Sequence, residues 1–307
     1  MTTGTPLPAR VRVPGSTSNL GSGFDTIGLA LDRYLEASFM PDDSGRLVVE
    51  RRGTLERLEG LAGPDLVGET FRAGLAEAGI PASGRVRLDS TIPVVRGLGS
   101  SAAALIAGCD LARAALGLAS DRDACFKAAF HHEGHGDNAA PSAYGGLRAV
   151  VPGMAGPRVI GLTLSGKVGF AYAAPAAPFS TSEARAALPE RVSHETAVTA
   201  LGRVVALREG LAQGDPELIR IGIEDELHVP YRLPRIKGAK QAVAAGYEAG
   251  AWGVTISGGG SGLIAVCPPS VAPEVAAAMR EAFLTRPDEA ECVGFEVRPD
   301  LDGMRRT

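Results

Sequence analysis

The stretch Pro93-Val94-Val95-Arg96-Gly97-Leu98-Gly99-Ser100-Ser101-Ala102 sets two glycines and two serines ahead of a run of small residues. Glycine lets a backbone approach a ligand and adopt dihedrals closed to other residues. A helix that starts directly after such a turn offers unpaired N–H groups and the positive end of its dipole, which suits a triphosphate. Ser100 and Ser101 add hydroxyls able to reach phosphate or Mg2+. The stretch is not a Walker A loop, because no G-x-x-x-x-G-K-[ST] occurs in the chain. It fits a loose G-x-G-x-x-A dinucleotide fingerprint through Gly97, Gly99 and Ala102, but no acidic residue ends a second parallel strand at the right distance. A turn without a ligand is the third reading.

Three other segments carry chemistry. Pro14 to Asp25 is a polar, Gly-rich loop in which Asp25 could pair with a substrate ammonium and Asn19 could hydrogen-bond at either edge. The same residues also suit an Asx-type turn. His131, His132 and His135 cluster around Glu133. His131 and His135 are four apart and could share a helix face for zinc, yet H-E-x-x-H is absent and Gly134 weakens the helix. Glu133, at a helix end near the phosphate loop, suits Mg2+ better, since that ion takes one or two carboxylates plus phosphates. Ser257 to Gly262 is a second Gly-rich turn, which alone would also pass for a plain hairpin.

The elements around these segments position them. Val11–Pro14 opens as a strand, and the chain from Thr26 to Phe39 is compatible with strands. Leu66–Ala78 has helical spacing and Gly79 stops it. Arg85–Asp89 alternates as a half-buried strand, and an Ala- and Leu-rich helix runs from Ala102 to Leu116. Ser120 and Asp123 suggest a capping box for a helix ending near His132, followed by a turn from Gly134 to Gly146. Helices are expected over Ser193–Gln213, over Pro216–Leu227 with Asp215 as N-cap, over Lys237–Glu248 and over Pro273–Leu284. Strands are expected over Lys167–Ala173, Val254–Ser257, Leu263–Cys267 and Cys292–Val297. Strands with helices on one face predict an α+β sandwich in each half.

Bulk properties bound the class. At 307 residues two domains are expected, and 45% hydrophobic with 21% charged residues is ordinary for a chain with a sizeable core. A net charge of -4 argues against sequence-independent nucleic-acid binding, which needs a basic stripe to displace counterions. The four cysteines form no C-x-x-C and read as buried thiols. Neither a signal peptide nor an apolar span is visible, so no membrane contact and a cytoplasmic location are expected.

The segments together resemble the GHMP kinases: an N-terminal P-x-[ST]-type loop, a P-x-x-x-G-L-G-S-S-A phosphate loop and a C-terminal Gly-rich turn, in that order. Within them the chain is similar to homoserine kinases at Ser18-Asn19-Leu20-Gly-x-Gly-Phe24-Asp25, at Glu133-Gly-His135-x-Asp137-Asn138-x-Ala-Pro141, at Ser180-Thr181-x-x-Ala184-Arg185 and at His228-x-Pro230-Tyr231-Arg232. The resemblance implies an α+β fold of two domains. Residues 1–160 would form an ATP-binding domain like a ribosomal-protein fold, and 161–307 a ferredoxin-like domain, with the site between them. It also implies ATP-dependent phosphorylation of the L-homoserine side-chain hydroxyl, for threonine biosynthesis, in an enzyme that is commonly a homodimer.

On the same resemblance Arg96, Gly97, Leu98, Gly99, Ser100, Ser101 and Ala102 cradle the phosphates, and Ser101 and Glu133 hold Mg2+. Arg185 and Arg232 grip the substrate carboxylate. Asp25 faces the ammonium. Asn19, His135, Asn138 and Thr181 complete the pocket, with Asn138 nearest the hydroxyl. Asp65 stands where such kinases carry an adenine-contacting Asn; it can accept from the adenine amino group but cannot donate in return. No Lys–Asp pair offers an evident base, so transfer by positioning is expected. Two other readings are a GHMP kinase for a different small molecule and a silent ligand sensor. Two arginines favour a carboxylate substrate, and intact Ser101 and Glu133 speak against the sensor.

Overall fold

In the computed structural model, which describes residues 5–58, 65–284 and 291–307, Val11 and Val13 turn into the core while Arg10 and Arg12 turn outward, making the first half of β1 (Ala9–Ser18). Its second half, Pro14–Ser18, is buried throughout. A bulge between Pro14 and Gly15 separates the halves and re-aims the strand. β2 (Ile27–Pro41) runs antiparallel to β1. β3 (Leu47–Gly53) and α1 (Leu66–Glu77) lead to β4 (Gly84–Ser90), which lies parallel to β3. Along β4, Val86 and Leu88 are buried while Arg85, Arg87 and Asp89 meet solvent, as their alternation predicts. Then come α2 (Ser100–Ala115), α3 (Arg122–Glu133), α4 (Ala139–Tyr144), β5 (Leu147–Val151) and β6 (Arg158–Leu162). β2 is shared along its length: Leu35–Pro41 pairs with β4, and Ile27–Leu29 with β5.

The chain leaves the first sheet after Leu162 and enters the second at β7 (Gly169–Ala174). α5 (Thr181–Ala186), α6 (His194–Gln213), α7 (Pro216–Ile223), α8 (Val229–Arg232) and α9 (Ala239–Glu248) follow. β8 (Gly253–Ile256), β9 (Leu263–Cys267), α10 (Ala272–Phe283) and β10 (Val293–Val297) complete the second unit. Its antiparallel sheet has the order β10-β7-β9-β8, a ferredoxin-like arrangement. Short β11 (Arg305–Arg306) returns to pair with β1.

Four expectations are corrected. The second sheet is covered on both faces, not one. Ala171, Ala173, Leu263 and Ala265 pack under α9 and α10, whereas Phe170, Tyr172, Ile264 and Val266 join the core of the first unit. α3 is capped by Asp121, whose carboxylate accepts the Ala124 N–H, not by Ser120. α7 ends at Ile223, short of Leu227, because the Asp225 carboxylate takes the N–H groups of Leu227, His228 and Val229 and starts a new turn. The stretch expected as a Gly-rich turn contains α4, which packs on α2, β1 and α3. Of the cysteines, Cys109 is only half-buried while the other three are buried. No helix among the described residues is long and apolar enough to cross a membrane.

Candidate active site

Three separated loops meet in one hydrogen-bond network. Ser16 Oγ reaches the Asn138 carbonyl at 3.0 Å and its Oδ1 at 3.1 Å, and Asn138 Nδ2 donates to Ser18 Oγ at 2.7 Å. Thr17 Oγ1 and Ser257 Oγ lie 2.9 Å apart, and Ser257 Oγ donates to the Gly97 carbonyl at 2.7 Å. Ser16, Thr17, Ser18 and Ser257 are fully buried. Polar residues at such depth are tolerated because each is paired, so the end of β1 welds the phosphate loop to the second Gly-rich turn and to the start of α4.

The phosphate loop takes the form its residues predict. Gly99 is the α2 N-cap, left-handed at φ +64°, and no side chain caps the helix. Its carbonyl receives the Ala103 N–H, so the N–H groups of Ser100, Ser101 and Ala102 precede the first helical bond. These groups border a cleft of about 340 Å³ between the two units, lined also by Asn19, Val95, Gly97, Glu133, His135, Asp137, Asn138, Phe179, Thr181, Arg185, Arg232 and Gly258–Gly260. A second, mostly apolar slot of about 270 Å³ opens on the same loop. It shares Val95, Ser100 and Ser101 with the cleft and is walled by Leu55, Leu58, Leu66, Val94, Ala104 and Asp65.

Most sequence-selected residues therefore converge, with four exceptions. Leu98 is a core residue. Arg96 is buried and donates to the carbonyls of Ala176 and Glu291, holding the loop from behind. Asp65 lines the slot but is already engaged: it caps α1 by accepting the Gly68 N–H at 2.8 Å and pairs with Arg51 at 2.9 Å. Asp25 does not line the cleft. Its carboxylate accepts both arms of the Arg185 fork, at 3.0 and 2.9 Å, across 160 residues of chain, and its N–H donates to Asn19 Oδ1 at 2.8 Å. As Asp65 is a cap, Asp65→Ala is expected to lower stability by about 1 kcal/mol and Asp65→Asn by less, measured by urea denaturation.

Arg185 and Arg232 thus differ. Burial opposes the Arg185 charge, but the Asp25 contact outweighs it and raises the pKa. Arg232 is 1% exposed, and burial lowers its pKa. Its Nε donates to the Ala184 carbonyl at 3.0 Å and its guanidinium stacks 5.0 Å over Phe24, while one terminal nitrogen has no partner. A buried guanidinium with an unpartnered nitrogen, in a residue that lines a cleft, is costly unless a ligand completes it.

Glu133 and the His135–Asp137 pair border the cleft. Glu133 ends α3 because Gly134 follows in the left-handed region at φ +76°. Burial raises the Glu133 pKa against the opposing hydrogen bond from Ser101, and its Oε2 is buried without a partner. His135 Nδ1 bonds Asp137 Oδ1 at 2.8 Å, which raises the His135 pKa. Burial pushes Asp137 up, but the His135 bond and charge prevail and hold it low. His131 and His132 lie on α3, outside the lining of this cleft.

Sequence reasoning gave no role to Asp137, Phe179 or Val95. Asp137 lies inside a quoted motif, but its pairing with His135 is a matter of side-chain direction. Val95 holds φ +57°, unusual for a β-branched residue, and borders both cavities. Backbone strain of this kind gathers at functional sites.

His228 supports the Asn19–Asp25 loop from below. It stacks on Phe24 at 4.9 Å, and its Nε2–H donates to the Gly21 carbonyl at 3.1 Å. Burial lowers its pKa despite nearby Asp225. A depressed histidine favours the neutral fold, so its stabilising effect is complete above the unfolded value near ~6.5 and is lost as pH falls from there to the folded pKa. His228→Gln is expected to flatten the fall in unfolding free energy between about pH 7 and pH 5, read by urea denaturation at each pH, by about 1.4 kcal/mol for each unit of the original depression.

A two-domain α+β fold with a bare helix start facing a cleft between domains defines a class, the GHMP-type small-molecule kinases. Residues 65–146 match the GHMP kinases N terminal domain and residues 207–284 match the GHMP kinases C terminal domain. The chain is 37% identical over 280 residues to a homoserine kinase of Synechococcus sp. strain RCC307, covering 89% of this chain and 88% of the relative. It is 38% identical over 258 residues to a homoserine kinase of Thermus thermophilus, covering 84% and 86%. The crystal structure of homoserine kinase from Cytophaga hutchinsonii superposes with a TM-score of 0.84 at 25% identity, over 100% of this chain and 99% of that one. The chain belongs to the homoserine kinase branch of the GHMP kinase family.

Proposed function

We propose that this enzyme transfers the γ-phosphoryl group of ATP to the side-chain hydroxyl of L-homoserine, yielding O-phospho-L-homoserine and ADP in threonine biosynthesis. The observation that carries the reading is the Arg232 guanidinium, one terminal nitrogen of which is buried without a partner, in the same cleft as the free N–H groups of α2. One end suits a carboxylate and the other a polyphosphate. The apolar slot beside Ser100 and Ser101 suits adenine, with Asp65 at its edge, and residues 1–160 would be the ATP-binding domain.

The amino acid is a zwitterion, and the Asp25–Arg185 pair carries both charges, with Arg185 lining the cleft. In this reading Arg232 holds the carboxylate with Arg185 beside it, while Asp25 supplies the negative charge toward the ammonium. Thr181, Asn19 and His135 line the remaining wall. Asn138 stands nearest the reacting hydroxyl, its amide locked by Ser16 and Ser18.

The orphaned Glu133 Oε2 beside the Ser101 hydroxyl fits a Mg2+ ligand set of one carboxylate and one hydroxyl. No group of three or more His, Cys, Asp or Glu side chains suitable for a metal gathers among the described residues, so the remaining ligands would be phosphate and water. Bound there, Mg2+ would neutralise phosphate charge. The carboxylates lining the cleft are Glu133 and Asp137, and Asp137 is held by His135. Transfer in this reading rests on orienting the hydroxyl and neutralising charge, not on a strong base.

The test is ADP release with Mg-ATP and L-homoserine, L-threonine, mevalonate or galactose as acceptor. Turnover on homoserine alone is expected. Turnover on another acceptor would retain the kinase class and overturn the pocket assignments. Tight ATP binding without turnover on any would favour the ligand sensor.

A further inference from the structure

Strand alternation aims Arg51 inward. On β3, Glu50 turns the other way and pairs with Arg85 and Arg87, whereas Val49 lies against α1, one of its methyl carbons 3.1 Å from the Cβ position of Gly68. Arg51, two residues on, shares the Val49 face. It lines the apolar slot beside Ser100 and Ser101, and the two charged residues lining that slot are Arg51 and Asp65. Nε and one terminal nitrogen of Arg51 reach Asp65 Oδ2 at 3.0 and 2.9 Å. The other terminal nitrogen has no partner among the described residues, and the side chain is 24% exposed. A carboxylate only accepts hydrogen bonds, while a guanidinium only donates them. The pair therefore sets an acceptor and a donor side by side at the edge of the slot.

We propose that Arg51, held by Asp65, is the residue that selects the adenine base, donating to its N1 while the Asp65 carboxylate accepts from its N6 amino group. This role requires adenine to occupy the slot, as proposed above for ATP. An amide at position 65 would offer both contacts by itself. A carboxylate offers only one of them, and Arg51 supplies the other. Of the roughly four acceptor sites of the Asp65 carboxylate, the Gly68 N–H and two Arg51 nitrogens take three, which leaves Oδ1 one bond for the base. The same bonds fix the direction of the guanidinium, so its free N–H groups are in place before the nucleotide arrives. Guanine in the same position would set its O6 against the carboxylate and its N1–H against the guanidinium. Both contacts oppose it, so the pair favours adenine by repulsion as well as by attraction.

The test is calorimetric titration of the full chain with nucleoside diphosphates at saturating Mg2+, without homoserine. The wild type is expected to bind 1-deaza-ADP, which lacks the N1 acceptor, about tenfold more weakly than ADP, because a hydrogen bond to a charged group is lost. GDP should bind about tenfold more weakly than ADP or worse. Arg51→Met should weaken ADP by about tenfold and leave 1-deaza-ADP within about twofold, whereas an arginine that only braces α1 would weaken both alike. Adding Asp65→Asn restores a donor beside the base and keeps the cap of α1, so the double variant should return ADP to within about threefold of wild type. Three outcomes would each overturn the role of Arg51: 1-deaza-ADP or GDP bound by the wild type as tightly as ADP, equal losses of ADP and 1-deaza-ADP in Arg51→Met, or a double variant no better than Arg51→Met. Each of them, with ADP still bound by the wild type, leaves the kinase reading standing. A wild type that binds no ADP removes the adenine slot and the role of Arg51 together.

Discussion

Arg232→Met is expected to lower kcat/KM for homoserine by about two orders of magnitude, chiefly through KM, while leaving KM for ATP and the melting temperature nearly unchanged. Removing one member of a buried charge pair costs about 2–5 kcal/mol of binding, and about 3 kcal/mol corresponds to that loss of rate. The stability expectation separates this residue from an ordinary buried arginine. In the free protein one terminal guanidinium nitrogen is buried without a partner, and burial already lowers the pKa of the group. Methionine keeps much of the aliphatic stem and removes the desolvation cost, against the loss of the bond to the Ala184 carbonyl and of the guanidinium stack on Phe24. A site that sacrifices stability for binding gives this signature of intact folding with lost activity. Arg185→Met is expected to be milder, because Asp25 already satisfies that guanidinium at the half-exposed mouth. Steady-state kinetics with homoserine varied at saturating Mg-ATP decide it; a homoserine KM within about twofold of wild type would remove Arg232 from the carboxylate site.

The different fates of the two arginines mark where the sequence stops informing. The family resemblance implies carboxylate binding by both. Which one is free depends on Asp25, 160 residues from Arg185 along the chain, and no local pattern reports such a pairing. The phosphate loop was legible for the opposite reason: Gly97 to Ala102 carries its own conformation in its glycines, and the helix it starts follows directly. Long periodic elements were legible too, such as α1, α2, α6 and α10, and the strand β9 falls on its expected bounds. Several short elements were not. β3, β5, β6, α4 and α5 have five to seven residues each and are held by neighbours rather than by their own periodicity. α4 contains Pro141 within a glycine-punctuated stretch, which locally argues for a turn. The double burial of β7 was equally hidden, since its alternation of Phe170 and Tyr172 with Ala171 and Ala173 is between large and small rather than apolar and polar.

Gly97→Ala is expected to reduce kcat/KM for ATP by about a hundredfold and to destabilise the protein by about 3 kcal/mol. Gly97 sits at φ +79°, and a Cβ added to it would lie 1.9 Å from the Ser257 carbonyl oxygen. That neighbour is backbone, so it cannot rotate aside. It belongs to the turn whose Gly258 N–H is held by the Ser18 carbonyl at 2.9 Å and whose Ser257 hydroxyl donates to the Gly97 carbonyl. A methyl group at this point pushes the phosphate loop away from the second Gly-rich turn and strains the welds to β1 together. The left-handed backbone alone accounts for about 1 kcal/mol, and a control isolates that part. Gly45 has a similar φ of +71°, but a Cβ there would meet nothing within 4 Å. Gly45→Ala should therefore lose only about 1 kcal/mol and keep full activity. The excess of Gly97→Ala over Gly45→Ala, in both melting and ATP kinetics, measures the closeness of the two turns. If the two variants behave alike, the contact between the turns does not set the shape of the phosphate loop, and the free N–H groups of α2 must be positioned by the rest of the weld through Ser16, Ser18 and Asn138.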